Sequence, residues 1–321
     1  MSEVIDVAAD RAAPSRPVPR SMLERIAESD LFYSFRRSPL IMLAAAVTVL
    51  MVGACVLAPL IAPHNPYDLK SLNLLDSNLP PAWEKDGDRR FLLGTDDQGR
   101  DILSTILYGT RSSIAISLLA VTLAITIDVS LGLIAGYVGG WPEALIMRVA
   151  DVKLTFPAIL IALMVNGVAQ TLLKGRVSGG EFWILVGSIG ISYWVQYART
   201  VRGMTLVEKN KEYVQAARLI GMGKVAIMFK HVLPNVLSPV LVIGTINLAL
   251  AVITEATLSF LGVGLPPTEP SLGTMIQIGN KYLFSGSWWM VAFPGLTLAV
   301  LVLAVNLLGD WLRDALNPKL R

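Results

Sequence analysis

RTVRGMTLVEKNKEYVQAARLIGMGKVAIMFKHVLPN, residues 199–235, lies between two long apolar runs and carries seven of the chain's 27 lysines and arginines. Its second half places Val225, Met228, Phe229, Val232 and Leu233 at i, i+3, i+4, i+7 and i+8, which predicts an amphipathic helix over 224–235 lying beside a membrane. Its first half, KEYVQAARLIG (211–221), sets Ala216, Ala217 and Gly221 along one side of a helix, flanked by Lys211, Glu212 and Arg218. Small side chains let a helix lie deep in another protein's groove, and flanking charges fix its register. Gly221 is expected to end that helix, and Pro234 to restart the chain toward the next apolar run. The shape suggests docking rather than chemistry. A helix packed on the protein's own cytoplasmic ends is the plainer alternative.

Working outward, the chain belongs in a bilayer. Hydrophobic residues make up 54% of 321, charged residues 16%, and the mean hydropathy is +0.59. Soluble domains are less apolar and more charged. Five stretches read as spans of about 20 residues: 39–62, 113–136, 182–198, 236–262 and 288–309. A sixth, 154–173, is interrupted by Pro157 and Asn166, a break that membrane helices tolerate when neighbours cover the freed backbone groups. With the N-terminus inside, the inner segments hold 18 lysines and arginines and the outer ones 9, so both termini are expected in the cytoplasm. The first apolar run starts after 37 mostly polar residues and is long enough to span, unlike a signal peptide. Arg36–Arg37 serves as the stop just inside that span and not as a twin-arginine signal.

Three segments follow. Residues 1–38 read as a cytoplasmic tail, its first 20 residues disordered and 21–37 a short interfacial helix. Residues 39–112 hold the first span and a long outer loop rich in Pro, Asp and Asn (HNPYD at 64–68, NLPPAWEKDGDRR at 78–90), expected to touch an external partner or cap a pore. Residues 113–321 form a five-helix core containing the 199–235 loop.

A net charge of +3 and a pI near 9.0 do not signify nucleic-acid binding, because the basic residues are dispersed among apolar runs. Cys55 is alone in an apolar run, and with the distant His64 and His231 makes no metal cluster. Gly223–Lys224 lacks the spacing and the Ser or Thr of a phosphate-binding loop, and VSGGE at 177–181 reads as an outer turn. Nothing supports catalysis or a bound cofactor.

Intramembrane acids are the remaining candidates. Asp128 falls in the second span and Glu255 in the fifth, and ionisable groups there usually face an interior cavity. Glu255 lies about 28 Å along its helix from Val236, toward the outer face. It could meet a peptide's amino terminus, hold an outer gate or simply bond between helices. For Asp128 a bond to a neighbouring Ser or Thr is preferred to a substrate role. Arg148, Asp151 and Lys153 sit together at the inner end of the third span, either as a network with partner proteins or as a solvated set.

QAARLIG (215–221) followed after nine residues by HVLP (231–234) resembles the EAA loop of binding-protein-dependent ABC permeases. Gln215 stands where that family has Glu, and His231 where it has Ile, so the salt bridge implied for that glutamate falls to Glu212 as the alternative. LGTDDQGRDILSTILYGTR (93–111), AGYVGG (135–140), MRVADVKLTFP (147–157), EATLSFLGVGLPP (255–267) and LGDWLRDALNPKLR (308–321) narrow the resemblance to the second membrane subunit of dipeptide, oligopeptide and nickel importers, with Thr105 and Asn317 as small departures.

The resemblance implies an all-α membrane protein of six transmembrane helices in the type I ABC importer permease fold, with a cytoplasmic coupling helix. It further implies a homologous permease as heterodimer partner, two ABC ATPase subunits that use the ATP, and a periplasmic binding protein. The site is then Glu212, Gln215, Ala216, Ala217, Arg218 and Gly221 for ATPase docking, with Asp128 and Glu255 as pore or gate candidates. Nickel is a less favoured cargo than peptide, since no His, Cys or Met cluster lines a predicted cavity. Opines and glycosides stay open. An ion-coupled transporter would show paired internal repeats, which are not seen, and a non-transporting scaffold would not need a docking loop together with intramembrane charge.

Overall fold

The computed structural model describes residues 30–68, 72–173 and 180–316. Residues 1–29 of the expected N-terminal tail, most of the VSGGE turn and Asn317 lie outside them. Among the described residues every regular element is helical apart from one isolated bridge between Thr95 and Asp101. In chain order the helices numbered here are α1 (Asp30–Arg37), α2 (Pro39–Val56), α3 (Ile102–Val138), α4 (Gly140–Leu154), α5 (Ala158–Leu173), α6 (Gly180–Glu208), α7 (Glu212–Leu219), α8 (Lys224–Ile227), α9 (Leu233–Phe260), α10 (Leu272–Tyr282) and α11 (Trp289–Leu316), with a further single turn at Ala58–Ile61 after α2.

On length and apolarity four helices can cross a membrane: α2, α3, the Pro239–Phe260 part of α9, and Trp289–Ala315 of α11. The pair α4 and α5 qualifies as a fifth only if a break bent by 100° is counted as one span. Pro157 accounts for the break, since it disfavours helix at the residue before it. The span expected at 182–198 lies within α6, a helix of 29 residues, but Ser188, Ser192, Tyr193, Gln196, Tyr197 and Arg199 dilute its apolarity. The count of six therefore gives way to four or five on this measure.

The second span runs well past its predicted ends. Asp101 caps α3, its carboxylate accepting from Ser104 N at 2.8 Å, and the helix continues for 37 residues to the Gly139–Gly140 corner. Both glycines there have left-handed φ, +73° and +64°, which a side chain would strain.

Helices α3 and α6 form the spine, and glycines set their distance. A Cβ on Gly132 would lie 2.6 Å from Val201 Cβ and 2.7 Å from the Ala198 carbonyl, and one on Gly136 2.6 Å from Thr205 Cβ. Helices in lipid associate by such close packing because the solvent itself is apolar. Three buried clusters follow along this spine. Ile102, Leu272, Met275 and Trp289 make the outer one, Ile116, Ala120, Leu185 and Ile189 the middle one, and Leu133, Tyr197, Val214, Ala217, Ile227 and Val236 the inner one.

The outer loop is folded onto the helix ends. Buried Arg100 pairs with Asp96 at 2.6 Å and donates to the Pro267 carbonyl at 2.8 Å, while Trp289 Nε1 donates to the Thr95 carbonyl at 3.1 Å. The loop thereby caps the start of α3 and ties it to the segment before α10 and to α11.

Candidate functional site

The 199–235 loop folds as α7, a glycine turn and α8, mounted on the inner cluster. Val214 and Ala217 are its buried residues, packed with Ile227, Val232 and Val236. The opposite face carries Glu212, Gln215 and Ala216 in the open, and it ends in Leu219 and Ile220, 88% and 78% exposed.

Of the residues singled out by sequence, Ala217 therefore faces inward. Its small size serves the protein's own core, and the exposed face consists of its neighbours. Gln215 donates to the Asn210 carbonyl at 3.0 Å, Arg218 lies over the Tyr137 ring at 5.6 Å, and Glu212 has no ion-pair partner among the described residues. Gly221 ends α7 with φ +82°. Met222 N donates to the Ala217 carbonyl and Gly221 N to the Arg218 carbonyl, both the 6→1 and 5→2 bonds of a Schellman cap.

Residues that sequence reasoning passed over hold this loop in place. Lys209 donates to the Gly136 carbonyl at 2.7 Å, joining the end of α6 to the end of α3. Lys211 pairs with Glu208 at 2.6 Å, and the Tyr213 hydroxyl donates to the same carboxylate. Asn235 Nδ2 donates to the Tyr213 oxygen at 3.0 Å, which reaches across to α9. Burial and the adjacent Glu208 push the Tyr213 phenol up to about 12, so it remains a donor. Burial raises Glu208, but the Lys211 and Tyr213 bonds outweigh it and hold the carboxyl below its ordinary value. A depressed carboxylate contributes stability above its unfolded pKa, and loses it as pH falls through the folded one. The tie is thus complete at neutral pH. The alternating Lys and Glu spacing was visible in the sequence; that Tyr213 would turn to meet Glu208 was not.

The predicted amphipathic helix over 224–235 is interrupted. After α8 the chain makes a π turn, Met228–Val232, before α9 starts with Pro234 in its first turn. The extra residue per turn rotates the face, so Ile227 and Val232 are buried while Val225 and Phe229 are 66% and 55% exposed.

Of the charged set at 148–153, Asp151 and Lys153 are tied within the chain. Asp151 pairs with Arg199 of α6, and Glu143 accepts from Arg202 Nε at 2.6 Å. Glu255 is fully buried at the meeting of α3, α9 and the start of α10. Ser259, one turn on in the same helix, donates to its Oε1 at 2.8 Å, while its Oε2 has no hydrogen-bond partner. Ser271 caps α10, and Ser113 accepts from Leu272 N. The carboxyl is turned into this chain and not into an open lumen. Asp128 is also fully buried, with neither oxygen bonded, so the Ser or Thr partner expected for it is not there. Among the described residues no group of three or more His, Cys, Asp or Glu is placed to hold a metal ion.

Comparison with known proteins gives concordant matches. Residues 128–321 match the family described as binding-protein-dependent transport system inner membrane component, and residues 29–81 match the N-terminal TM domain of oligopeptide transport permease C. The dipeptide transport system permease protein DppC of Haemophilus influenzae is 40% identical over 290 residues, covering 90% of this chain and 93% of that one. DppC of Escherichia coli K12 is 38% identical, covering 96% of each, and the oligopeptide transport system permease protein OppC of Bacillus subtilis 36%, covering 91% and 90%. Among solved structures, an inward-facing MetNI methionine ABC transporter aligns at a TM-score of 0.52 with 20% identity over 67% of this chain and 98% of that one, a likeness of fold.

Proposed function

The chain belongs to the family of binding-protein-dependent transport system inner membrane components, and on that premise we propose that it forms half of the pore of an ATP-driven peptide importer. It is a multi-pass inner-membrane permease, and its relatives over nearly the whole chain are named for dipeptide and oligopeptide transport. Its partners in this reading are a homologous permease, two ATPase subunits that bind and hydrolyse ATP, and a periplasmic binding protein that selects the peptide. Both termini and the 199–235 loop lie on the ATPase side, residues 39–112 supply the first span and outer cap, and 113–321 supply the permease core.

The observation that carries the coupling role is the two-sidedness of α7. Val214 and Ala217 root it in the inner cluster, while Glu212, Gln215, Ala216, Leu219 and Ile220 project away. Two adjacent large apolar side chains left in water on a capped turn are the mark of a protein contact. ATPase closure would push on this face, and the rigid ties at Glu208, Tyr213 and Lys209 would pass the movement to α6, α9 and α3. Gly221 and Arg218 shape the turn without needing to touch the partner. For Glu255, full burial and the bond from Ser259 in its own helix support a packing role rather than one in gripping a peptide's amine.

The test is uptake of a labelled panel (dipeptide, longer peptide, nickel, glycoside) in cells lacking the gene, complemented with the native chain, Leu219→Asp or Ala216→Asp. Native uptake of dipeptide with at least tenfold loss in both variants, each at native level in the membrane, is the expected result. Equal uptake by all three would remove the docking face, and restoration of nickel or glycoside alone would replace the cargo.

A further inference from the structure

A second buried polar junction, distinct from the docking loop, joins α3, α4, α6 and α9. Asp128 on α3 is completely enclosed, and both of its carboxylate oxygens lack a hydrogen-bond partner. The Tyr197 hydroxyl of α6 and the Asn247 amide nitrogen of α9 are likewise buried without a hydrogen-bond partner. Buried polar groups nearly always find partners, so an enclosed carboxyl with none calls for a physical reason. An ionisable group inside a membrane domain without a partner costs several kcal/mol. A donor is close at hand. Lys153, in the last turn of α4, donates its ammonium to the Ser192 carbonyl of α6, within the stretch of the spine bounded by Gly190 against Ala120 and Gly132 against Ala198, the stretch that also holds Asp128.

Lys153 also sits at a joint. It precedes the break at 155–157 across which α4 and α5 are bent by 100°. A lysine carries three donors on a flexible four-carbon stem, so it can exchange acceptors that differ in direction without moving its backbone far. The two acceptors belong to different helices of the spine, Ser192 to α6 and Asp128 to α3.

We propose that Lys153 is a two-position latch, its ammonium bonded to the Ser192 carbonyl in the present conformation and to the Asp128 carboxylate in the other conformation of the transport cycle. Rotation at the α4–α5 joint moves the lysine between them. The charge pair then stabilises one state selectively, which is what a ligand-driven alternation requires. Lys153 and Asp128 are positioning residues in this account and need not touch the cargo. The latch rests on the importer reading above.

The experiment compares labelled dipeptide uptake and binding-protein-stimulated ATP hydrolysis in vesicles holding the complete transporter with the native chain, Lys153→Gln, Lys153→Arg, or the neutral pair Asp128→Asn with Lys153→Met. Gln retains a donor for the Ser192 carbonyl but no charge for Asp128. The neutral pair leaves no unpaired charge, so a merely structural salt bridge would be replaced without loss. The latch predicts at least tenfold lower uptake per ATP for Lys153→Gln and for the neutral pair, both at native complex level, with Lys153→Arg keeping more than half of native uptake. Native uptake per ATP in the neutral pair overturns it. If the neutral pair fails to assemble, Lys153→Gln decides alone, and native coupling there also overturns the latch. Should the native chain itself take up no dipeptide, the peptide reading fails instead, and the latch is judged by stimulated ATP hydrolysis, where unchanged stimulation in Lys153→Gln sinks it.

Discussion

Single side chains in this protein act by what they have been given to bond. Glu255 and Asp128 look alike in the sequence, each one acid in an apolar run, and the fold treats them differently: the Ser259 hydroxyl bonds one oxygen of Glu255, and nothing bonds Asp128. Replacing Glu255 by Ala leaves the Ser259 hydroxyl without its acceptor inside a buried site. Losing such a bond costs roughly 1–3 kcal/mol. Thermal inactivation of the detergent-purified complex should move to lower temperature in Glu255→Ala. An unchanged profile would show that the bond contributes nothing. Sequence locates both acids and the Ser259 that follows Glu255 by four residues, but not that Asp128 is enclosed without a partner. Ala217 is a similar case: a small residue looks the same whether it faces a partner or its own core.

At the level of elements, helix contacts decide which glycines matter. Gly132 and Gly136 sit where α3 meets α6, whereas a methyl placed on Gly187 or Gly203 of α6 would meet nothing within 4 Å. In a helix Ala is favoured over Gly by about 1 kcal/mol, so open sites gain and closed sites lose. Gly132→Ala is expected to destabilise by about 1–3 kcal/mol through overpacking, and Gly203→Ala to be neutral or mildly stabilising. Differential scanning of the two purified variants checks the contrast, and the same sign for both would refute the close-packed spine. The apolar runs announced α2, α3, α9 and α11 because burial in lipid requires them. The π turn and the split of α4 from α5 were less legible. Pro157 marked the break, but the angle depends on packing, and no residue in MFKHV (228–232) signals an inserted turn. Leu219 and Ile220 were legible as apolar, and only their position after the buried Ala217 shows that they point outward.

The whole molecule has two dissimilar faces. One carries the packed outer loop, bound to the ends of α3 and α11, and the other carries the 199–235 loop with its cluster of basic residues. On the bias of 18 lysines and arginines against 9, we propose that the basic face lies in the cytoplasm. Alkaline phosphatase fused after residue 85 should therefore be active, and the same enzyme fused after residue 321 inactive. Activity at the C-terminal junction would invert the topology and remove the ATPase from the 199–235 loop.

Helix α3 joins those faces without interruption. Its 37 residues contain no proline, its first turn is fixed by Asp101, and its last turn accepts from Lys209. At about 1.5 Å per residue it is roughly 55 Å long, longer than the hydrocarbon it crosses. A rod fastened at both ends has no slack: a tilt of about 5° at the inner end displaces the outer end by roughly 5 Å over that length. Opening on one side of the membrane and closing on the other are then not two events needing a messenger, but one swing of a single lever.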